Sequence, residues 1–291
     1  MSTILSTVFP WTRIASAVIA IPTTLLVIGL GSWAFAIGLG VLIAIGQLEY
    51  FSLVKSKGIN PAAKTTIVVS QVLVLVCLLK VEWADAVVPI AGTFICFYLL
   101  FQPKLASIAD ISASILGLFY GGYLPSYWVR LRGLDFGDNY NYQFDWYLLH
   151  LTVNQGLIYV LMAFSCIWAS DIGAYVIGKS FGKTRLSVIS PKKTVEGAVF
   201  GLISCVAVAL SWAHYLGWHW WWLTGGFLGV LIGVASLLGD LTESMMKRDA
   251  GVKDSGQFLP GHGGLLDRAD SYVFTAPLVY YFVTLVLPLV P

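Results

Sequence analysis

Three consecutive segments decide how this chain folds: WWWLTGGFLGVLIGVASLLG (220–239), DLTESMMKRDAGVKDSGQFLPGHGGLLDRAD (240–270) and SYVFTAPLVYYFVTLVLPLV (271–290). Each outer segment is about twenty residues long and mostly apolar. A helix rising about 1.5 Å per residue needs about that length to cross a hydrocarbon core about 30 Å thick. The middle segment carries the acids Asp240, Glu243, Asp249, Asp254, Asp267 and Asp270 and the bases Lys247, Arg248, Lys253 and Arg268. The whole chain has only 17 basic and 15 acidic residues. Charge this dense between two apolar spans sits at a membrane boundary. Carboxylates there can hold a hard cation, and bases beside them can hold phosphate.

The rest of the chain agrees. It is 58% hydrophobic and 11% charged, with a mean hydropathy of +0.81, a composition that excludes an ordinary soluble domain. About nine apolar spans are expected, near 14–30, 33–53, 66–82, 86–102, 107–129, 149–170, 198–216, 220–239 and 271–290. A β-barrel would show alternating ten-residue strands. The run Ile67–Leu79, apolar except at Ser70 and Gln71, does not alternate. The expected fold is therefore an all-α polytopic integral membrane protein. Residues 1–148 supply N-terminal spans, and 149–291 form a C-terminal region with loops at 171–197 and 240–270. With the N-terminus inside, only Lys80, Arg130 and Arg132 of the 17 basic residues fall outside, as the positive-inside tendency asks. Both loops then face the cytoplasm.

Tyr140, Tyr142, Trp146 and Tyr147, and Trp218 with Trp220, Trp221 and Trp222, mark the outer interface. His150, His214 and His219 read as interfacial hydrogen-bonding residues. Cys77, Cys96, Cys166 and Cys205 lie inside spans without CxxC spacing, so they read as buried apolar residues and not as disulfides or zinc ligands. Met1–Pro10 lacks the basic region of a cleavable signal peptide, so the first span is expected to stay.

The loop 171–197, DIGAYVIGKSFGKTRLSVISPKKTVEG, sets five bases against Asp171 and Glu196. Gly173, Gly178, Gly182 and Gly197 would let backbone approach a ligand. Ser190-Pro191 reads as a turn, and a helix starting near Lys192–Thr194 would offer amides and two lysines to an anion. On its own this loop fits a topology signal equally well. In the second loop, Asp240, Glu243, Lys247 and Arg248 are spaced i, i+3, i+7, i+8. A helix continuing past the span would stack them on one face, where the Asp and the Glu could both address a cation. Gly251 would break that helix. Pro260, Gly261, Gly263 and Gly264 would hold His262 in a constrained loop, and Asp267 and Asp270 would stand one turn apart at the next helix start. A salt-bridged cap between helices is the plainer alternative. Glu49 and Asp110, near the cytoplasmic ends of their spans, are either structural or line the site.

Ser244, Lys247, Arg248, Lys253, Asp254, Gly256, Pro260, His262, Gly263, Gly264, Asp267, Arg268 and Asp270 fit, in order and spacing, SxxKRxxxxKDxGxxxPxHGGxxDRxD. This resembles the signature of phosphatidate cytidylyltransferases, the CDP-diacylglycerol synthases. The DxGAYxxGxxFGK and SPKKTxEG segments of the first loop resemble that family too.

The resemblance implies that phosphatidic acid attacks the α-phosphorus of CTP, giving CDP-diacylglycerol and pyrophosphate. It implies Asp240 and Asp267 as main ligands of Mg²⁺ (or Mn²⁺), with Asp254 and Asp270 as further candidates, and a second, monovalent cation such as K⁺. Its catalytic set is Asp240, Lys253, Asp254, His262, Asp267, Arg268 and Asp270. Its substrate-binding set is Lys183, Ser190, Lys192, Lys193, Thr194, Lys247, Arg248, Gly263 and Gly264. The nucleophile is already an anion, so His262 would orient a phosphate instead of removing a proton. The expected partners are CTP, phosphatidic acid, bilayer lipids and a second copy in a homodimer, with no nucleic acid. The expected place is a bacterial-type inner membrane, with the site facing the cytoplasm. Three other readings stand beside this: a CDP-archaeol type enzyme, a CTP-dependent lipid kinase, and a cation transporter. Acids at loop positions instead of mid-span disfavour the transporter.

Overall fold

Backbone in hydrocarbon must satisfy its own hydrogen bonds, and helices do so within one segment. The computed structural model describes residues 22–103, 105–135, 142–146, 149–256 and 263–290, and most of them are helical. After a helical stretch over residues 22–30 come α1 (Ser32–Ser56), α2 (Ala63–Leu79) and α3 (Ala84–Leu100). Next are α4 (Ile108–Leu118) and α5 (Leu124–Arg132), then a hairpin of β1 (Tyr142–Trp146) and β2 (Leu149–Val153) paired antiparallel. The chain ends in four long helices: α6 (Gln155–Phe181), α7 (Val195–Tyr215), α8 (Trp221–Asp249) and α9 (Leu266–Tyr281).

Among the described residues, six helical segments are long and apolar enough to cross a bilayer: α1, Val81–Leu100, α6, α7, α8 and Leu266–Leu289. Many large apolar side chains point outward along them, Ile37, Leu42, Ile90 and Leu238 among them. The chain is a multi-pass membrane protein. Among the described residues the expected count of about nine is not reached at three places, and one boundary moves. Residues 14–21 of the first lie outside the described residues. α2 is apolar but has only 17 residues. The 107–129 span is broken by a π-type turn at Phe119–Tyr123. The span expected from 149 starts at Gln155, because 149–153 form a strand.

The break has a cause. Gln47 of α1 is fully buried, and its Nε2 donates to Gly117 O at 2.9 Å and to Ser70 Oγ at 2.7 Å. A polar side chain inserted at that point disturbs the helical ladder. Gly121 leaves room for it, since a Cβ there would lie 2.7 Å from Gln47 Cγ.

α6 runs on to Phe181, so residues 171–181, expected as loop, are helix. The glycines explain the extension. Gly178 faces Gly197 and Thr194, and Gly173 faces Phe200 and Ser204, so they pack α6 on α7; Gly178 and Gly197 also line the cavity described below. α7 and α8 meet the same way. Gly225, Gly229 and Gly233, four residues apart, face Ala213, Val206 and Leu202, and a Cβ at Gly229 would sit 2.6 Å from Val206 Cα. Small residues at this spacing let membrane helices approach closely without a hydrophobic drive between them. All four cysteines are free thiols, three of them buried.

Candidate active site

The site is assembled where α8 and α9 leave the apolar layer. Gly239 is the closest approach of the two helices: a Cβ there would lie 2.5 Å from Asp270 O. The next residue, Asp240, is thereby brought beside Asp270. Glu243, one turn on, joins them, and one carboxylate oxygen from each of the three lies within 4.8 Å of the others. Glu243 is fully buried, and among the described residues its Oε1 has no hydrogen-bond partner. Three oxygen donors around one point form a set that suits a hard divalent ion.

Bases interleave with these acids. Lys193 pairs with Asp240, which also accepts from Ser244 Oγ at 3.3 Å. Lys247 Nζ lies 2.5 Å from both Glu243 Oε2 and Asp267 Oδ1. Asp267 thus shares Lys247 with Glu243, and the two carboxylates are also in contact with each other. It also accepts from the Ser255 amide at 3.0 Å and the Gly264 amide at 2.8 Å.

The loop between the helices is shaped as the spacing suggests. Gly251 ends α8 at φ +75° and Gly263 precedes α9 at φ +85°, conformations that favour glycine. Asp254 is exposed and stands apart from the carboxylate group, and Lys253 is exposed beside it. Arg248 reaches back to Ile189 O at 3.4 Å and Val252 O at 3.1 Å. His262 and Pro260 lie outside the described residues.

The 182–194 segment folds into a short hairpin. The Leu186 amide donates to Lys193 O, and the Val195 amide donates to Thr184 O. Glu196 accepts from the Lys183 and Thr184 amides at 3.2 and 3.1 Å. Thr194 caps α7 through Gly197 N at 3.2 Å, so the helix starts where the sequence suggests.

A cavity of about 1290 Å³ joins these pieces. Its lining includes Asp171, Ser190, Lys192, Lys193, Asp240, Asp267, Arg268 and Asp270, together with Val27, Phe35, Leu39, Leu42, Phe164 and Trp168. One hollow thus carries both a charged group and apolar side chains. Lys183 and Arg248 do not line it.

Two acids were not assigned by sequence reasoning. Asp171 enters the cavity from α6. Glu49 of α1 is buried against the loop that carries the signature, with three hydrogen bonds to it. The one available signal was an acid inside an apolar span, which is costly unless it has a purpose.

The cytidylyltransferase family model matches residues 11–286. The chain belongs to that family. A phosphatidate cytidylyltransferase of Synechocystis sp. is 56% identical over 293 residues, covering 96% of this chain and 98% of its own length. The chloroplastic phosphatidate cytidylyltransferase 4 of Arabidopsis thaliana is 42% identical over 267 residues, 87% of this chain and 68% of its own. A phosphatidate cytidylyltransferase of Staphylococcus aureus is 46% identical over a shorter stretch of 131 residues. The family match spans both halves of the chain, so the N-terminal helices belong to the family as much as the charged loops do.

Proposed function

We propose that this membrane enzyme transfers the cytidylyl group of CTP to phosphatidic acid, forming CDP-diacylglycerol and pyrophosphate in phospholipid biosynthesis. The observation that carries the reading is one cavity lined both by interleaved acids and bases and by apolar side chains. It suits a lipid with an anionic head group meeting a nucleotide triphosphate.

The chain's own groups supply positioning and charge. Both reactants are polyanions, so bringing one phosphate onto another needs neutralisation and in-line alignment. Lys193 and Lys192, on the hairpin before α7, and Arg268 on α9 reach the cavity from two sides and would hold phosphate oxygens. Lys247, between Glu243 and Asp267, would keep those carboxylates from repelling each other. Asp240, Glu243 and Asp270 would hold a divalent ion such as Mg²⁺ or Mn²⁺; when bound, the ion neutralises charge on the triphosphate. Asp267 shares Lys247 with Glu243 of that set, and a second, monovalent ion such as K⁺ belongs to the same proposal. The apolar part of the lining would take an acyl chain while the head group stays at the boundary. The attacking oxygen is already ionised, so no residue has to remove its proton. The basic loops support a cytoplasmic-facing site.

The experiment is product analysis with CTP and phosphatidic acid, with and without Mg²⁺. Release of pyrophosphate with CDP-diacylglycerol supports the reading. Release of CDP would assign a lipid kinase, and turnover restricted to ether-linked acceptors would assign the archaeol-type reaction.

A further inference from the structure

We propose that Glu49 is a positioning residue of this enzyme: its buried carboxylate, held on α1, caps the start of α9 from the other half of the chain and so fixes Asp267. The proposal rests on the functional reading above for its link to turnover, but not for its structural content.

The geometry is specific. Glu49 is 9% exposed and accepts three hydrogen bonds, from Ser255 Oγ at 3.0 Å, the Leu265 amide at 2.9 Å and the Leu266 amide at 2.8 Å. Leu265 is the N-cap residue just before α9, and its side chain makes no capping hydrogen bond. The first amides of a helix lack partners within the helix, and a negative charge there also meets the positive end of the helix dipole. Most helices obtain that cap locally from Ser, Thr, Asp or Asn. Here it comes from more than 200 positions away in sequence. Among the described residues, no ion pair neutralises Glu49. Its charge is met by amide and hydroxyl dipoles.

The two glycines that flank this contact point the same way. A Cβ at Gly256 would lie 2.5 Å from Glu49 Oε1, and one at Gly264 would lie 2.6 Å from Oε2. Those glycines therefore leave room for the Glu49 carboxylate. The residues that Glu49 grips are next to those that grip Asp267. Ser255 gives its hydroxyl to Glu49 and its amide to Asp267, and Gly264 gives its amide to Asp267. Two carboxylates thus share one loop, one holding it to the N-terminal helices and the other held by it toward the site.

The test uses full-length protein in detergent. Glu49→Gln keeps the size but offers one acceptor oxygen where two amides and a hydroxyl converge, so one amide loses its partner. In hydrogen–deuterium exchange, peptides covering 263–268 should take up deuterium at least about tenfold faster, with peptides over 225–238 unchanged, because a hydrogen bond to a charged acceptor is among the stronger kinds. This readout needs no substrate, so it stands apart from the reaction assignment. In steady state, kcat should fall about tenfold or more while KM for CTP and for the lipid stays within about twofold. Gly256→Ala supplies the second arm. It should be harmful in the parent and nearly silent in Glu49→Ala, where the carboxylate that collides with the new methyl is gone. Unchanged exchange at 263–268 in Glu49→Gln, or equal harm from Gly256→Ala in both backgrounds, overturns the proposal. Altered exchange with no product from the parent protein would uphold the positioning and reject the reaction.

Discussion

Replacing Gly239 by alanine tests whether the spacing of α8 and α9 sets the carboxylate group. The new Cβ would lie 2.5 Å from Asp270 O and 3.2 Å from its carbonyl carbon, while ordinary contact begins at 3.4 Å. The neighbour is backbone, which cannot rotate away, so the helices must separate by about 0.9 Å at this level. Overpacking of this kind costs roughly 1–3 kcal/mol, offset by the roughly 0.5–1 kcal/mol that alanine gains over glycine inside a helix. Stability should therefore fall by about 2.5 kcal/mol at most. Activity should fall much further, because Asp240 and Asp270 sit directly at the forced gap. A displacement of about 1 Å in reacting geometry costs on the order of 100-fold, equivalent to about 2.7 kcal/mol in the barrier. The assay is CDP-diacylglycerol formation at saturating CTP and lipid, beside thermal unfolding in the same detergent. Gly226→Ala is the control, since its nearest neighbour would be Leu210 Cδ2 at 3.9 Å. It should be neutral or slightly stabilising, with full activity. A Gly239→Ala enzyme within about threefold of the parent would show that the site tolerates the gap, and the argument from helix approach would fail.

Other substitutions probe the charges themselves. Asp240→Asn and Asp267→Asn should each abolish turnover in a protein that still inserts and unfolds cooperatively; near-parental rates at saturating Mg²⁺ would remove that residue from the site. Lys193→Ala breaks the pair with Asp240 and should raise the substrate concentration needed for half-maximal rate about tenfold or more. No change at limiting CTP and limiting lipid would reduce its hairpin to a topology signal. Cysteines placed at the exposed positions Val188 and Val252 should react with an impermeant thiol reagent from one side of the membrane, and one at His219 from the other. Reaction of the first two from opposite sides would contradict a shared site.

How far the site could be read in advance depends on whether its parts are local. Asp240, Glu243 and Lys247 share a helix face by spacing alone, and α8 does continue through Asp249 to present them together. Gly251 and Gly263 likewise announce their turns, because a positive φ has few other tenants. The meeting of Asp270 with Asp240 is different in kind. It depends on how closely two helices approach at Gly239, and a helical glycine can mean packing, a kink or nothing. Asp267 shows the same gap. It lies one turn from Asp270 in sequence, yet its partners are Lys247, Glu243 and two loop amides, which the spacing does not show. Span boundaries meet a related limit. Hydropathy measures the apolar content of a window, but it is blind to Gln47 entering the helix after Leu118, and to a helix such as α6 that carries its charged end past Asp171.

The signature itself divides when its residues are followed into space. Asp270 joins the carboxylate group, Ser244 bonds to Asp240, and Lys247 ties Glu243 to Asp267. Gly256 and Gly264 instead make room for Glu49, and Gly263 turns the chain. Roughly half of these positions thus serve to hold the other half still. That division follows from the setting. Several like charges gathered at the edge of a low-dielectric layer repel strongly, and each unpaired one carries a desolvation penalty. Lysines placed between the acids reduce that repulsion, and dipoles from loop amides stabilise the acids that have no lysine. A loop whose amides do this work cannot be free to move, so it must be fastened to something outside itself. In this chain the fastening is α1, which gives the N-terminal helices a part in the chemistry although the signature contains none of their residues.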